Sequence, residues 1–252
     1  MERTAGDLSI SDCDLPKFLG IAAGFGTCEY AYAVTPNVDH LIRYRSDASF
    51  RDIYGSAAFV LLDSRFLARF LAMTTGLRLP TCPGSDVTAG LFTSVISSDD
   101  ALVLIGGTPR QAEALRRSYD LKCLHHHNPP MGFIEDPAAV EACLRFIENA
   151  SPFRFCFLAV GCPQQERLAQ LLLSRGLARG LALCVGGAIN FLTGTESRAP
   201  AWMRHAGLEW LHRLLQDPPR MARRYLVRGP RIFLMLPTMR FVLRPTTVTE
   251  LG

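Results

Sequence analysis

Leu102-Val103-Leu104-Ile105-Gly106-Gly107-Thr108-Pro109-Arg110-Gln111 is the stretch on which the fold is decided. Four consecutive apolar residues suit a strand covered on both faces. The glycine pair then turns the chain, and Thr108 offers a side-chain oxygen to cap a helix that Pro109 opens. Gln111, three residues past the cap, completes a capping box. The same strand, turn and helix rhythm recurs along the chain. Phe59 to Leu62 leads through Asp63-Ser64 into a helix from Arg65 to Thr74, and Phe155 to Val160 leads through Gly161-Cys162-Pro163 into one stopped near Gly176. Leu181 to Val185 runs into Gly186-Gly187. Glu29 to Val34 runs into Thr35-Pro36-Asn37, which caps a helix through Arg45. Further helices are expected over 85–96 and 136–149. Alternation of this kind predicts an α/β fold, a Rossmann-like, mostly parallel sheet with helices on both faces, whose ligand sits at the carboxyl ends of the strands.

The chain has 252 residues, 48% hydrophobic and 20% charged, enough to bury one large core. Residues 1–11 lack both the basic start and the apolar run of a secretory signal, which points to a cytoplasmic protein. Eight cysteines lie singly within apolar runs without a CxxC pair, and read as small buried hydrophobes. The net charge of +4 is uneven. From Arg198 to Arg244 ten arginines face only Glu209 and Asp217, a local +8 that leaves the rest of the chain at −4. Such a basic end suits phosphate or an anionic membrane surface rather than nucleic acid. A boundary is expected near 193–199, dividing a core, 1–195, from a basic helical appendage, 196–252. In that appendage Pro200 to Gln216 reads as one helix and a second starts near Arg220. The apolar run Ile232 to Leu243 is too short to span a bilayer and suits its interface.

Gly106-Gly107 offers backbone N–H groups and a helix N-terminus to a diphosphate, or simply a tight turn. Neither GxGxxG after a strand nor GxxxxGK[ST] occurs, which disfavours a dinucleotide oxidoreductase and a P-loop enzyme. Asp63, at a strand end, could accept a proton from a sugar hydroxyl or cap the next helix. Gln165 and Glu166 could hold sugar hydroxyls or only favour the first turn of their helix. His125-His126-His127 reads as a loop, and Asp99-Asp100 precede a strand at the edge away from any ligand, so no metal site is expected.

In order, Thr35-Pro36-Asn37-Val38-Asp39-His40, Asp63, Gly84-Ser85-Asp86, Ile105-Gly106-Gly107-Thr108-Pro109, Gly161-Cys162-Pro163-Gln164-Gln165-Glu166 and Val185-Gly186-Gly187-Ala188-Ile189-Asn190 are followed by Arg198-Ala199-Pro200, Gly207-Leu208-Glu209-Trp210, Arg213 and Arg223-Arg224-Tyr225. This series resembles the WecG/TagA/CpsF glycosyltransferases, glycosyltransferase family 26, over about residues 30 to 235. The resemblance implies a GT-E type fold and an inverting, metal-independent transfer without a cofactor. The sugar would pass from a UDP-sugar, of the N-acetylmannosamine type, its uronic acid or glucose, to a polyprenyl-diphosphate-linked saccharide in surface or exopolysaccharide synthesis. It implies Asp63 as general base, Thr35 and Asn37 near the acceptor, and Gln165 at the sugar. Gly106, Gly107, Gly186, Gly187 and Asn190 would lie along the donor, with Arg213, Arg220, Arg223 and Arg224 closing over the diphosphate. It also implies a peripheral place on the inner membrane face, and leaves room for a homo-oligomer. The chain departs from the family at Leu62-Asp63-Ser64, where the family has Ala-Asp-Gly. Thr81 stands at a usually basic position, and Asn190 where the family has aspartate. A membrane-docked, non-catalytic scaffold of a polysaccharide assembly complex is the competing reading.

Overall fold

Strands β2 (Ala31–Val34), β4 (Leu102–Ile105), β6 (Phe155–Leu158) and β7 (Leu181–Cys184) are buried at every position in the computed structural model, which describes residues 7–26, 28–222, 226, 229–236 and 239–246. Their side chains divide with the two-residue period of a strand. Tyr32, Val34, Val103, Ile105, Cys156, Leu158, Ala182 and Cys184 enter one hydrophobic core. Ala31, Ala33, Leu102, Leu104, Phe155, Phe157, Leu181 and Leu183 enter the other, on the opposite face. With β3 (Phe59–Val60) and β5 (Leu124–His127) these strands form a six-stranded sheet in the order β3-β2-β7-β6-β4-β5. Every pairing in it is parallel. The Rossmann-like expectation is met. Strand β7, the last of this sheet in chain order, lies between β2 and β6, so the chain's second and sixth strands present their carboxyl ends on either side of it.

The helices begin where the caps require. Asn37 caps α2 (Val38–Ser46), Ser64 caps α4 (Arg65–Thr75), and Thr108 with Gln111 forms the capping box of α6 (Pro109–Tyr119). Helix α8 (Gln164–Arg175) ends on Gly176 in the left-handed region. The other helices of the body are α1 (Leu15–Ala23), α3 (Ala48–Ser56), α5 (Gly84–Ser94), α7 (Pro137–Asn149) and the short α9 (Ala188–Leu192).

Several sequence expectations change. His125 to His127 lie not in a loop but in β5, paired in register with Val103 to Ile105; as an edge strand it exposes polar side chains to solvent. Asp99 and Asp100 are held by Lys122 at 2.8 Å and Arg154 at 2.7 Å. The single helix expected over 200–216 is two, α10 (Ala201–Ala206) and α11 (Glu209–Gln216), separated by Gly207 at φ 75°. After α12 (Pro218–Ala222), the apolar run is neither one segment nor wholly exposed. It contributes α13 (Arg231–Met235) and β8 (Arg240–Arg244), and buries Ile232, Leu236 and Met239 in the first core. Strand β8 pairs in parallel with β1 (Asp7–Ser11), and Ser11 Oγ in turn accepts the Val60 N–H of β3 at 2.9 Å.

Gly180, at the entry to β7, has φ 122°, and a Cβ there would lie 1.9 Å from the carbonyl oxygen of Phe153. Gly180→Ala is therefore expected to lower stability by about 3 kcal/mol, through backbone strain and overlap, in equilibrium urea unfolding. A loss below about 0.5 kcal/mol would contradict this close approach.

Candidate functional site

The carboxyl ends of β3, β2, β7 and β6 open into one cavity of about 1020 Å³. Thr35, Asn37, Asp63, Gln165, Gly186, Gly187, Asn190 and Arg213 all line it. A smaller, more apolar cavity of about 250 Å³ adjoins it, walled by Phe66, Trp210, Ile232 and Phe233, and it shares Asn37, Asp63 and Arg213 with the first. Gly106 and Gly107 line neither. They follow β4, which lies beyond β6 toward the β5 edge. The Gly106 N–H is already given to the His127 carbonyl at 2.8 Å, and a Cβ on Gly106 would lie 2.8 Å from the Ala159 carbonyl oxygen. That glycine serves close packing of two loops, and its N–H is committed within the fold. Arg220 lies in α12, while its side chain and the whole of Arg223 and Arg224 fall outside the described residues.

Asp63 stands at the seam of the two cavities. Its own N–H bonds the Pro36 carbonyl, and one carboxylate oxygen accepts the Gly84 N–H at 2.9 Å. Burial pushes the carboxyl up to about 6; the Arg213 guanidinium and the Gly84 N–H oppose that, and Glu209 reinforces it. The cap of α4 falls to Ser64, so the capping role that sequence reasoning left open for Asp63 is taken by its neighbour. Arg213 is held by Glu209 at 3.1 Å and lies 5.1 Å over the Phe191 ring.

The amides are more committed than the sequence suggested. Thr35 donates its hydroxyl to the Cys184 carbonyl at 2.8 Å, which ties β2 to β7. Asn190 accepts from Gln111 Nε2 at 2.8 Å and donates to Glu196 at 3.0 Å. Gln165 accepts the Gly186 N–H at 2.9 Å and donates to Glu166 Oε1 at 2.7 Å. Glu166 is wholly buried, and His40 Nε2 lies 3.2 Å from the same oxygen. The Asn37 N–H faces the other ring nitrogen, Nδ1, at 3.4 Å. Burial works against charge on both partners. For His40 the hydrogen bonds to Cys162 and Glu166 outweigh it and hold the ring above its ordinary range; for Glu166 the bonds from His40 and Gln165 hold the carboxyl below its own.

Sequence reasoning passed over His40 and Cys162, both of which line the large cavity. His40 left one trace: it occupies the third helical position after Asn37, where a capping box places its second polar partner. It also missed Asp86, which gathers Arg65, Arg198 and, at 3.6 Å, Arg204. That buried carboxylate fastens the segment after 196 to α5 beside the cavity.

A doubly wound parallel sheet with a polar cavity at the carboxyl ends of its central strands, a raised carboxylate at its edge and an apolar chamber next to it defines an α/β protein with a cavity where ligands commonly bind in such sheets. Residues 7–245 match the model of the Glycosyl transferase WecG/TagA/CpsF family, nearly the whole chain, and the protein belongs to that family of glycosyltransferases.

A carboxyl at about 6, against an ordinary value of 3.8, means that the folded state disfavours the charged form. That cost is fully present above pH 6 and fades as pH falls toward the unfolded value. Because Asp63 keeps partial contact with cleft water, the cost is about 2 kcal/mol. Asp63→Asn should therefore stabilise the fold by roughly that amount at about pH 8 and by little at about pH 4, in urea unfolding at the two pH values. The same change at both would mean that the carboxylate carries no such strain.

Proposed function

We propose that the protein is an inverting, metal-independent glycosyltransferase that moves a sugar from a UDP-sugar to a polyprenyl-diphosphate-linked saccharide in surface or exopolysaccharide synthesis. The donor would carry an N-acetylmannosamine-type sugar, its uronic acid or glucose. The observation that carries this reading is the position of Asp63 between a large polar cavity and a small apolar one, with its carboxyl raised to about 6. A nucleotide-sugar fits the first, and the first isoprene units of a lipid-linked acceptor fit the aromatic walls of the second. Asp63 would take the proton of the acceptor hydroxyl as its oxygen attacks the anomeric carbon, and UDP would leave from the opposite face with inversion. A base near 6 is ionised at neutral pH and still basic enough to draw the proton in the transition state.

Thr35 and Asn37 would lie near the acceptor hydroxyl; Asn37 lines both cavities and Thr35 the larger one. Gln165, Gly186, Gly187 and Asn190 form the donor wall, where Gln165 and Asn190, tied at both ends of their amides, shape the cavity as well as touch it. Arg213, shared by the two cavities, is placed to meet charge on the departing diphosphate. Arg220, Arg223 and Arg224 would add to it from an appendage, 196–252, that covers the site and docks on the inner membrane face. Exposed Trp202, Leu215, Leu226 and Leu234 among the arginines support that docking. No helix among the described residues is long and apolar enough to cross a membrane.

The test is UDP release from a panel of UDP-sugars with a polyprenyl-diphosphate-linked mono- or disaccharide. The wild-type chain should show kcat/KM rising with pH through an apparent pKa near 6. Asp63→Asn should lose on the order of 10²-fold or more in turnover, and the pH limb with it, while UDP still protects against thermal unfolding. Near-wild-type turnover would remove Asp63 as the base; UDP binding without turnover on any acceptor would favour the scaffold.

A further inference from the structure

One group of side chains at the floor of the large cavity has no part in the transfer just described. His40, Cys162 and Glu166 come from the loop and helix after β2 and from the turn and helix after β6. One ligand atom of each, an imidazole nitrogen, a thiol sulfur and a carboxylate oxygen, lies within 4.8 Å of the others. Glu166 Oε1 is used by His40 and Gln165, but Glu166 Oε2, on a side chain with no exposed surface, has no hydrogen-bond partner among the described residues. A wholly buried carboxylate oxygen left bare is costly unless something else meets it. Cys162 is half-buried and borders the cavity, so an ion could enter from that side and keep one position open to water.

We propose that His40, Cys162 and Glu166 form a binding site for a soft divalent cation, zinc above all, at the floor of the cleft. One nitrogen, one sulfur and one oxygen donor with a fourth position open is the ligand set that zinc takes, and it does not suit magnesium, which prefers oxygen alone. Ligand atoms around tetrahedral zinc sit about 3.3–3.6 Å apart. The three donor atoms, within 4.8 Å of one another, come near that spacing, and rotation of the Cys162 and Glu166 side chains would bring the sulfur and the bare Oε2 onto one ion. Binding expels the thiol proton of Cys162 to solvent, while the Nε2 proton of His40 gives way to one on Nδ1; no electrons move. A metal on Nε2 leaves the remaining ring proton on Nδ1, where it breaks the contact with the Asn37 N–H. It also draws Glu166 away from Gln165. Both neighbours line the cavity, so zinc acts as a reversible inhibitor from beneath the site; this last consequence rests on the proposed function, whereas the binding itself does not.

The experiment is titration of the metal-free, full-length chain with cobalt(II), read by absorbance. One equivalent should produce a sulfur-to-cobalt charge-transfer band and the visible bands of a tetrahedral ion, and zinc, not magnesium, should abolish both. Cys162→Ser should lose the charge-transfer band. Cys123→Ser, which removes the thiol that lies 3.5 Å from His125 at the other end of the sheet, should keep it. No band in the wild-type chain, or a band that survives Cys162→Ser, overturns the site. Should Cys162→Ser not fold by circular dichroism, alkylation of wild-type Cys162 by iodoacetamide, followed by peptide mass spectrometry, decides: zinc should slow it at least tenfold, and equal labelling with and without zinc overturns the proposal. These readouts need no sugar donor, so they stand or fall apart from the transfer assay.

Discussion

Glu166 is the constraint around which the rest is arranged. The central strands of the sheet are buried on both faces, so their carboxyl ends bring polar loops together over a buried floor. A carboxylate with no exposed surface survives there only because neighbours turn toward it. Gln165 and His40 do so, and they in turn reach Gly186 and Asn37. One buried acid thereby joins the loops after β2, β6 and β7, the three that shape the cavity. Removing one partner of such a pair costs about 3–5 kcal/mol, because the other is left charged and buried. The cavity is thus held by the same polar bonds that hold its floor.

Two further acids near the cavity show how charge is distributed between holding and reacting. Asp86 is buried beside three arginines, which fastens the segment after 196 to α5. Asp63 has a backbone N–H on one oxygen and only a more distant guanidinium, which Glu209 also claims. The first is tied into ion pairs with three arginines; the second stands at the seam of two cavities with its carboxyl raised. Burial is the main cause of that rise, and Arg213 and the Gly84 N–H oppose it.

Much of this was legible in the sequence because it is local. The caps at Asn37 and Thr108, the stop at Gly176 and the five apolar runs are encoded within a few residues of where they act, and each run gives a strand, some shorter than read. Asp63 could be placed at a strand end for the same reason. What could not be read is long-range. The β1–β8 ladder pairs short alternating segments from opposite ends of the chain, neither distinctive alone. Three histidines become a strand only because β4 offers them an edge. The break at Gly207 needs the backbone of Phe66, 3.3 Å from where a Cβ would sit. The clamp of Arg198 on Asp86 and the meeting of His40 with Cys162 and Glu166 depend on which loops the sheet order brings together, which periodicity does not encode.

The β1–β8 ladder gives the arginine-rich segment a mechanical character that its composition conceals. The segment leaves the body beside Asp86 and returns to it as β8, whose partner β1 bonds through Ser11 to β3 a few residues before Asp63. It is therefore a strap with both ends fastened rather than a free tail. A pull on it would reach β3, three residues before Asp63, through the ladder and the Ser11 hydroxyl.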